Sequence, residues 1–176
     1  RLAREDKANL SKIFSSIFLI VFFFSMIFSV LTSIFSSTLV SIAAPGLSNS
    51  HHLLAEQLLI ILSFTLTPIS LGAYLASVQN AFYFFGSAEA GQLVSKILPI
   101  IGLLFIPSSS IEYFAWYVLF GTYLGCFVQY LLFKRTKLTV LFVIDFKNSH
   151  FRDFFHQGRY LMIGMISTQL ARIYIN

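Results

Sequence analysis

Three basic side chains, Lys96, Arg159 and Arg172, stand inside apolar stretches where a charge is expensive. A charge near the centre of a bilayer costs at least about 2.5–3.5 kcal/mol, so such groups normally face a bundle interior or a wet cavity. The acidic residues Glu56, Glu89, Glu112 and Asp153 fall instead at the ends of apolar stretches, within reach of water or headgroups. Deep groups that are all basic suit an anionic ligand such as the phosphate of a lipid. For Lys96 and Arg159 the competing reading is snorkelling, with the stem lying along the span and the charge at the cytoplasmic headgroups. Arg172 lies about 20 residues into its stretch, too deep for that, and a place at the outer surface is the other reading open to it. Thr168, Gln169, Arg172 and Asn176 share one helical face by their spacing, and a polar stripe on a span points at a cavity or a partner helix.

Other chemistry is sparse. No glycine-rich phosphate loop, paired carboxylates, metal-ligand spacing or nucleophile elbow occurs, so neither an enzyme, a cofactor nor a metal is expected. His51-His52 in the outer joint, without a third ligand, reads as a pair of solvated loop residues, with metal binding or pH sensing the less favoured alternative. Cys126 is read as a small packing residue. Gly121-x-x-x-Gly125 matches the close-packing motif of membrane helices and is expected to seat a neighbour within the protein. Pro68 and Pro99 interrupt apolar runs and are candidate hinges.

The elements that position these groups follow from composition. Of 176 residues, 57% are hydrophobic, 17% aromatic and 11% charged. A soluble domain carries about 25% charge, and there is too little polar surface here to cover a globule in water. One cysteine closes no disulfide within the chain. Five apolar segments can be drawn: 13–44, 53–85, 88–106, 111–133 and 151–176. About 20 residues cross the hydrocarbon as a helix, so each is long enough, the third marginally. The runs are continuous rather than alternating, which argues for helices over barrel strands. The expected fold is an all-α polytopic membrane protein. The start at Arg1 and the stop within an apolar run read as a piece of a longer chain.

Orientation follows from the basic residues. Arg1, Arg4, Lys7 and Lys12 precede the first span, and Lys134, Arg135, Lys137, Lys147 and Arg152 crowd the last joint. The joints near 46–54 and 107–112 carry none. This alternation places residue 1 and the basic linker 134–150 in the cytoplasm. The net charge of +5 is therefore a topology signal, and nucleic acid is not an expected partner.

With these residues in place, the chain resembles the MurJ/MviN family of lipid II flippases, within the larger group of multidrug and oligosaccharidyl-lipid exporters. One block is Ala44-Pro45-Gly46-Leu47 after a long span, followed by a span with Pro68 and Gln79-Asn80-Ala81. The second is Gly121-Thr122-Tyr123-Leu124-Gly125 with Gln129, then the basic linker and the span carrying Gln169. The resemblance implies part of the first lobe of a MATE-like fourteen-helix transporter in the bacterial inner membrane, these segments matching spans three to six and the start of seven. It implies an anionic polyprenyl-diphosphate lipid as substrate, moved outward by alternating access, with membrane lipids and the remaining helices of the full-length protein as partners. The family's arginines of its first two spans and the charged cluster of span eight have no counterpart in these segments. Where span seven usually has a proline the chain reads Gly158-Arg159-Tyr160, and Asn176 stands where an aspartate is common, so no ion-coupling residue carries over.

A flippase of the peptidoglycan pathway is thus the first functional reading, with Arg172, Gln169, Asn176, Lys96 and Arg159 as cavity residues. Another polysaccharide-lipid flippase or a cation-coupled drug exporter of the same superfamily is the alternative. A drug-cation site would want a buried carboxylate. A non-transporting membrane scaffold would explain the spans and Gly121-x-x-x-Gly125 equally well, but would not need a deep Arg172.

Overall fold

The structure, a computed structural model, describes residues 2–105 and 111–138, with side chains over 9–87, 89–104 and 111–138. All of its regular elements over those residues are helical. They are α1 (Leu2–Ile34), α2 (Ser36–Ala43), α3 (Asn49–Ser63), α4 (Leu66–Ala81), α5 (Phe85–Phe105) and α6 (Ile111–Phe133), followed by a short 3-10 turn at Lys134–Thr136. Among the described residues four stretches are long and apolar enough to cross a membrane: Asn9–Ile34, Asn49–Ala81, Phe85–Leu104 and Ile111–Thr136.

Phe18–Leu138 forms one compact unit. The second unit joins Arg1–Ile17 to Thr139–Asn176. Within its described part the Ser15 hydroxyl donates to the Ser11 carbonyl at 2.6 Å and that of Ser16 to the Lys12 carbonyl at 2.9 Å, so both serines are satisfied inside the helix. The linker 139–150 and the segment 151–176 lie outside the described residues.

The basic start of the chain is helical, so α1 begins well before residue 13, where the apolar run starts. The turn at Phe35 barely interrupts it, since Phe35 N still donates to Leu31 O and Leu39 N to Phe35 O, both at 2.9 Å. Pro45-Gly46 then ends the helix, as a proline and a glycine in sequence should.

Pro68 divides the second apolar segment in two. Lacking an N–H, it cannot donate to the carbonyl of Phe64, one turn earlier, and the ladder breaks there. Phe64 and Thr65 lie between α3 and α4, and Pro68 falls in the first turn of α4, where a missing donor costs little. The Thr65 hydroxyl donates to Leu62 O at 2.6 Å and its N–H to the same carbonyl at 3.0 Å, so the end of α3 keeps its partners.

The helix after this break stops at Ala81 rather than running to 85. Phe84 N donates to Gln79 O at 2.9 Å and Tyr83 N to Asn80 O at 3.0 Å, the paired bonds of a Schellman stop. Such a stop needs a left-handed residue, and Tyr83 supplies it at φ 62° where glycine is usual. That conformation costs a non-glycine residue roughly 1–2 kcal/mol. Phe85 consequently belongs to the next helix, which moves the start of the third span from 88 to 85. Tyr83 and Phe85 meet edge-on with ring centroids 6.1 Å apart at this exposed aromatic turn.

Burial runs in the sense expected of a bundle surrounded by lipid. The large apolar side chains Phe24, Phe28, Ile34, Ile42 and Leu104 are all more than half exposed, while Ser29, Ser36, Ser63, Thr67, Gln79 and Gln129 are buried. Lipid solvates the former as well as a core would, so small and polar residues take the helix contacts. Along α1 and α2 the buried Ser25, Ser29 and Ser36 recur at helical spacing. Ser29 and Thr67 lie 3.3 Å apart, oxygen to oxygen, and join the first span to α4.

Candidate functional site

Helices α5 and α6 run antiparallel along a seam of small residues. A methyl group at Gly125 would lie 2.6 Å from the Gly91 carbonyl oxygen and 2.6 Å from Ser95 Cβ. One at Gly121 would lie 2.6 Å from the Ser95 carbonyl oxygen and 2.9 Å from Pro99 Cδ. One at Gly102 would strike the Tyr117 ring at 2.7 Å. Gly121-x-x-x-Gly125 therefore seats a neighbour within the chain, and its counterpart is Gly91-x-x-x-Ser95-x-x-x-Pro99 on α5. Pro99 cannot donate to the Ser95 carbonyl, and the Gly121 backbone lies against that freed oxygen. This is how neighbouring helices accommodate a proline inside a span.

The close approach carries a polar cluster at one end of the three helices. Gln79 on α4 and Gln129 on α6 are 0% and 2% exposed, too enclosed for either amide to rely on water. Gln129 Nε2 donates to Gln79 Oε1 at 2.6 Å, and Gln79 Nε2 donates to the Gln129 carbonyl at 3.2 Å. Gln129 Oε1 accepts from the Gly91 N–H of α5 at 3.1 Å. Only glycine fits at 91, because any Cβ there would collide with the Gln129 side chain. Every polar atom of this pair that is closed off from solvent has a partner, which makes it a tie among three helices.

Beside the seam lies a half-open cavity of about 270 Å³ between α4, α5 and α6. Its walls include Pro68 and Gly72 of α4, Gln92, Ser95 and Lys96 of α5, and Thr122 of α6. Lys96 stands near the midpoint of α5, about 16 Å from its start at 1.5 Å per residue. With α5 beginning at Phe85, Lys96 lies three residues further from the helix start than the span 88–106 implied, and its side chain is exposed. The Ser95 hydroxyl donates to Gln92 O at 2.7 Å and that of Thr122 to Leu119 O at 2.8 Å. Among the described residues Lys96 and Gln92, both exposed, are on the cavity's lining, and no carboxylate lines it.

A second cavity of about 390 Å³, lined by Phe22, Phe64, Leu71, Tyr123 and Phe127 among others, lies on the α1 side of the α4–α6 contact. Pro68 and Cys126 border both cavities. Cys126, half-buried, stands where the two spaces adjoin.

Of the residues singled out in the sequence, Lys96, Pro68 and Pro99 fall in these elements and Lys96 shares a cavity with Pro68. Arg159, Gln169, Arg172 and Asn176 lie outside the described residues. His51 and His52 sit in the first turn of α3, not in a loop. His51 Nδ1 is 2.7 Å from the Ser48 hydroxyl and His52 Nε2 is 3.1 Å from that of Ser41. Among the described residues no group of three metal-ligating side chains forms. The pairing of Gln79 with Gln129, and the serine face of the first span, carry no role in the sequence reading. The serine period was available as a signal. The glutamine pair was not, because 50 residues separate its members.

A helical bundle whose large apolar side chains face outward, with four stretches among its described residues long and apolar enough to cross a membrane, is that of a polytopic membrane protein. The family model described as lipid II flippase MurJ matches residues 1–176, and the chain belongs to that family. No curated protein and no solved structure matches it.

Proposed function

We propose that this chain is part of a flippase that moves an undecaprenyl-diphosphate-linked peptidoglycan precursor across the bacterial inner membrane by alternating access, with residue 1 in the cytoplasm. The observation that carries the reading is the family match across the whole of residues 1–176. Lys96 supports it: a cation in mid-span calls for an anion or water. Against a drug-cation exporter stands the placement of the described carboxylates. Glu56, Glu89 and Glu112 all lie within about two turns of a helix start, and none lines the Lys96 cavity. No covalent step is assigned to the protein.

In this reading Arg172, with Gln169 and Asn176 on its face and Arg159 nearer the cytoplasm, contacts the diphosphate. A guanidinium grips a diphosphate through two parallel hydrogen bonds that an ammonium cannot copy. In cells depleted of their native flippase, the full-length protein should restore translocation of the lipid-linked precursor. Arg172→Lys should retain part of that rate, and Arg172→Ala should lose about tenfold or more at equal membrane levels. Full activity of Arg172→Ala would remove Arg172 from the transport route, and failure of the unsubstituted protein would sink the flippase reading.

The prolines act as hinges. Alanine at 68 supplies the missing N–H to the Phe64 carbonyl and closes the break between α3 and α4. Pro68→Ala and Pro99→Ala should each lower translocation by roughly threefold or more while membrane levels hold. Unchanged rates in both would reduce the prolines to structural accommodation.

A further inference from the structure

We infer that the cavity between α1, α4 and α6 holds one acyl chain of a bilayer phospholipid as a bound part of the folded protein. The inference needs only that the chain spans a membrane, and it is independent of what the flippase reading transports. Depth is its first support. The cavity is lined by side chains within residues 18–29 of the first span, 64–75 of the second and 123–130 of the last described one. None of them falls in a terminal turn of its span, so the space lies among the apolar middle parts of three spans. Its second support is shape. Phe18 and Ser29 mark its extent on α1, about 16 Å at 1.5 Å per residue, close to the hydrocarbon depth of one leaflet, about 15 Å. The volume of about 390 Å³ is on the order of thirteen liquid water molecules, and a methylene is nearly that size, so about a dozen carbons fit.

The lining excludes water. Leu71, Leu75, Ser29 and Thr67 form a buried floor, with Leu75 only 1% exposed. The Ser29 hydroxyl donates to Ser25 O at 2.9 Å, so in its 3.3 Å contact with Thr67 the threonine hydroxyl is the donor. Both hydroxyl protons of the floor are spent, and no charged side chain lines the cavity. An apolar space of this kind stays dry and takes an apolar guest. The rim selects the guest. Met26 and Phe127 are exposed there, and on α6 Phe120, Leu124, Phe127 and Leu131 recur at helical spacing, all exposed. The mouth is therefore continuous with the face that lipid solvates, and the hydrocarbon at hand there is the acyl chain. Such a chain ends inside a slot of this length, whereas most of a polyprenyl chain would remain outside it. Phe64 and Pro68 line the same space, so the bound chain packs against the break between α3 and α4. It supplies contacts there that an empty cavity would forfeit.

Photolabelling of the purified full-length protein in phosphatidylglycerol discs tests the inference, with a phosphatidylglycerol probe that carries a diazirine near the end of one acyl chain. Lipid that merely surrounds the protein labels exposed side chains such as Ile100 and Leu104. A chain in the cavity labels the floor as well, so residues 71–75 should carry label. Cys126→Phe and Met26→Trp narrow the space from its border and its rim. Displacing about two methylenes costs about tenfold in affinity, so each should lower label at 71–75 by that factor while label at 100–104 holds. Cys126→Ala leaves the space open and should keep the label. A melting curve unchanged in either narrowed variant excludes unfolding as the cause. Absence of label at 71–75 in the unsubstituted protein would mean that protein covers the cavity, and overturns the inference. Equal label in both narrowed variants overturns it too. So does loss of the label to polyprenyl phosphate added to the discs, which would make the transported kind of chain the occupant. Failure of translocation by the unsubstituted protein would sink the flippase reading and leave this result standing.

Discussion

Gly125→Val should destabilise the full-length protein by about 3 kcal/mol, the high end of the cost of overpacking a close contact. The first added carbon would already lie 2.6 Å from the Gly91 carbonyl oxygen and from Ser95 Cβ. Neither obstacle is the flexible end of a long side chain. To admit valine, α5 and α6 must separate. Separation lifts the Gly91 N–H from Gln129 Oε1, at 3.1 Å in the intact seam, and so strands a buried acceptor as well as losing contact area. The measurement is the thermal midpoint in detergent beside a matched Gly72→Ala variant. A Cβ added at Gly72 would meet nothing within 4 Å, so alanine there should stabilise the helix by about 0.5–1 kcal/mol. A Gly125→Val protein that melts with the unsubstituted one would show that the seam is looser than its geometry.

The second large effect belongs to the glutamine tie. Gln129→Leu removes both side-chain partners at once, leaving Gln79 Oε1 and the Gly91 N–H facing an apolar side chain. The expected cost is about 1–2 kcal/mol, the range for hydrogen bonds between membrane helices. Gln79→Leu should cost a similar amount. The double variant should be about 1 kcal/mol more stable than the sum of the single losses predicts, because no orphaned side-chain amide remains and the loss at the Gly91 N–H is counted once. Additive losses would mean that the two amides contribute independently. The tie fastens the last turns of α4 and α6 to the early part of α5, while the break at Phe64–Thr65 lies at the opposite end of α4.

Composition and the run lengths of apolar residues were enough to establish a helical membrane protein, because the bilayer imposes length and backbone satisfaction on any span. The same holds for Pro45-Gly46 as a helix stop and for Gly121-x-x-x-Gly125 as a packing motif, since both act through local backbone and side-chain volume. Boundaries were less legible. The stop at Ala81 depends on Tyr83 taking a left-handed conformation that its residue type disfavours, and no local preference announces it. Which residues meet was not legible at all. Gln79 and Gln129 were visible as members of two separate motifs, yet their amides meet only where α4 packs on α6, and three glycines and a serine let α5 close on the pair. The place of Lys96 along its helix likewise turned on a three-residue shift in where α5 begins. The sequence by itself determined the solvent of this protein and the four apolar spans of its described residues. Only the tertiary structure decided which polar groups are enclosed together, because burial in a bundle is a property of helix faces brought into contact and not of any one helix.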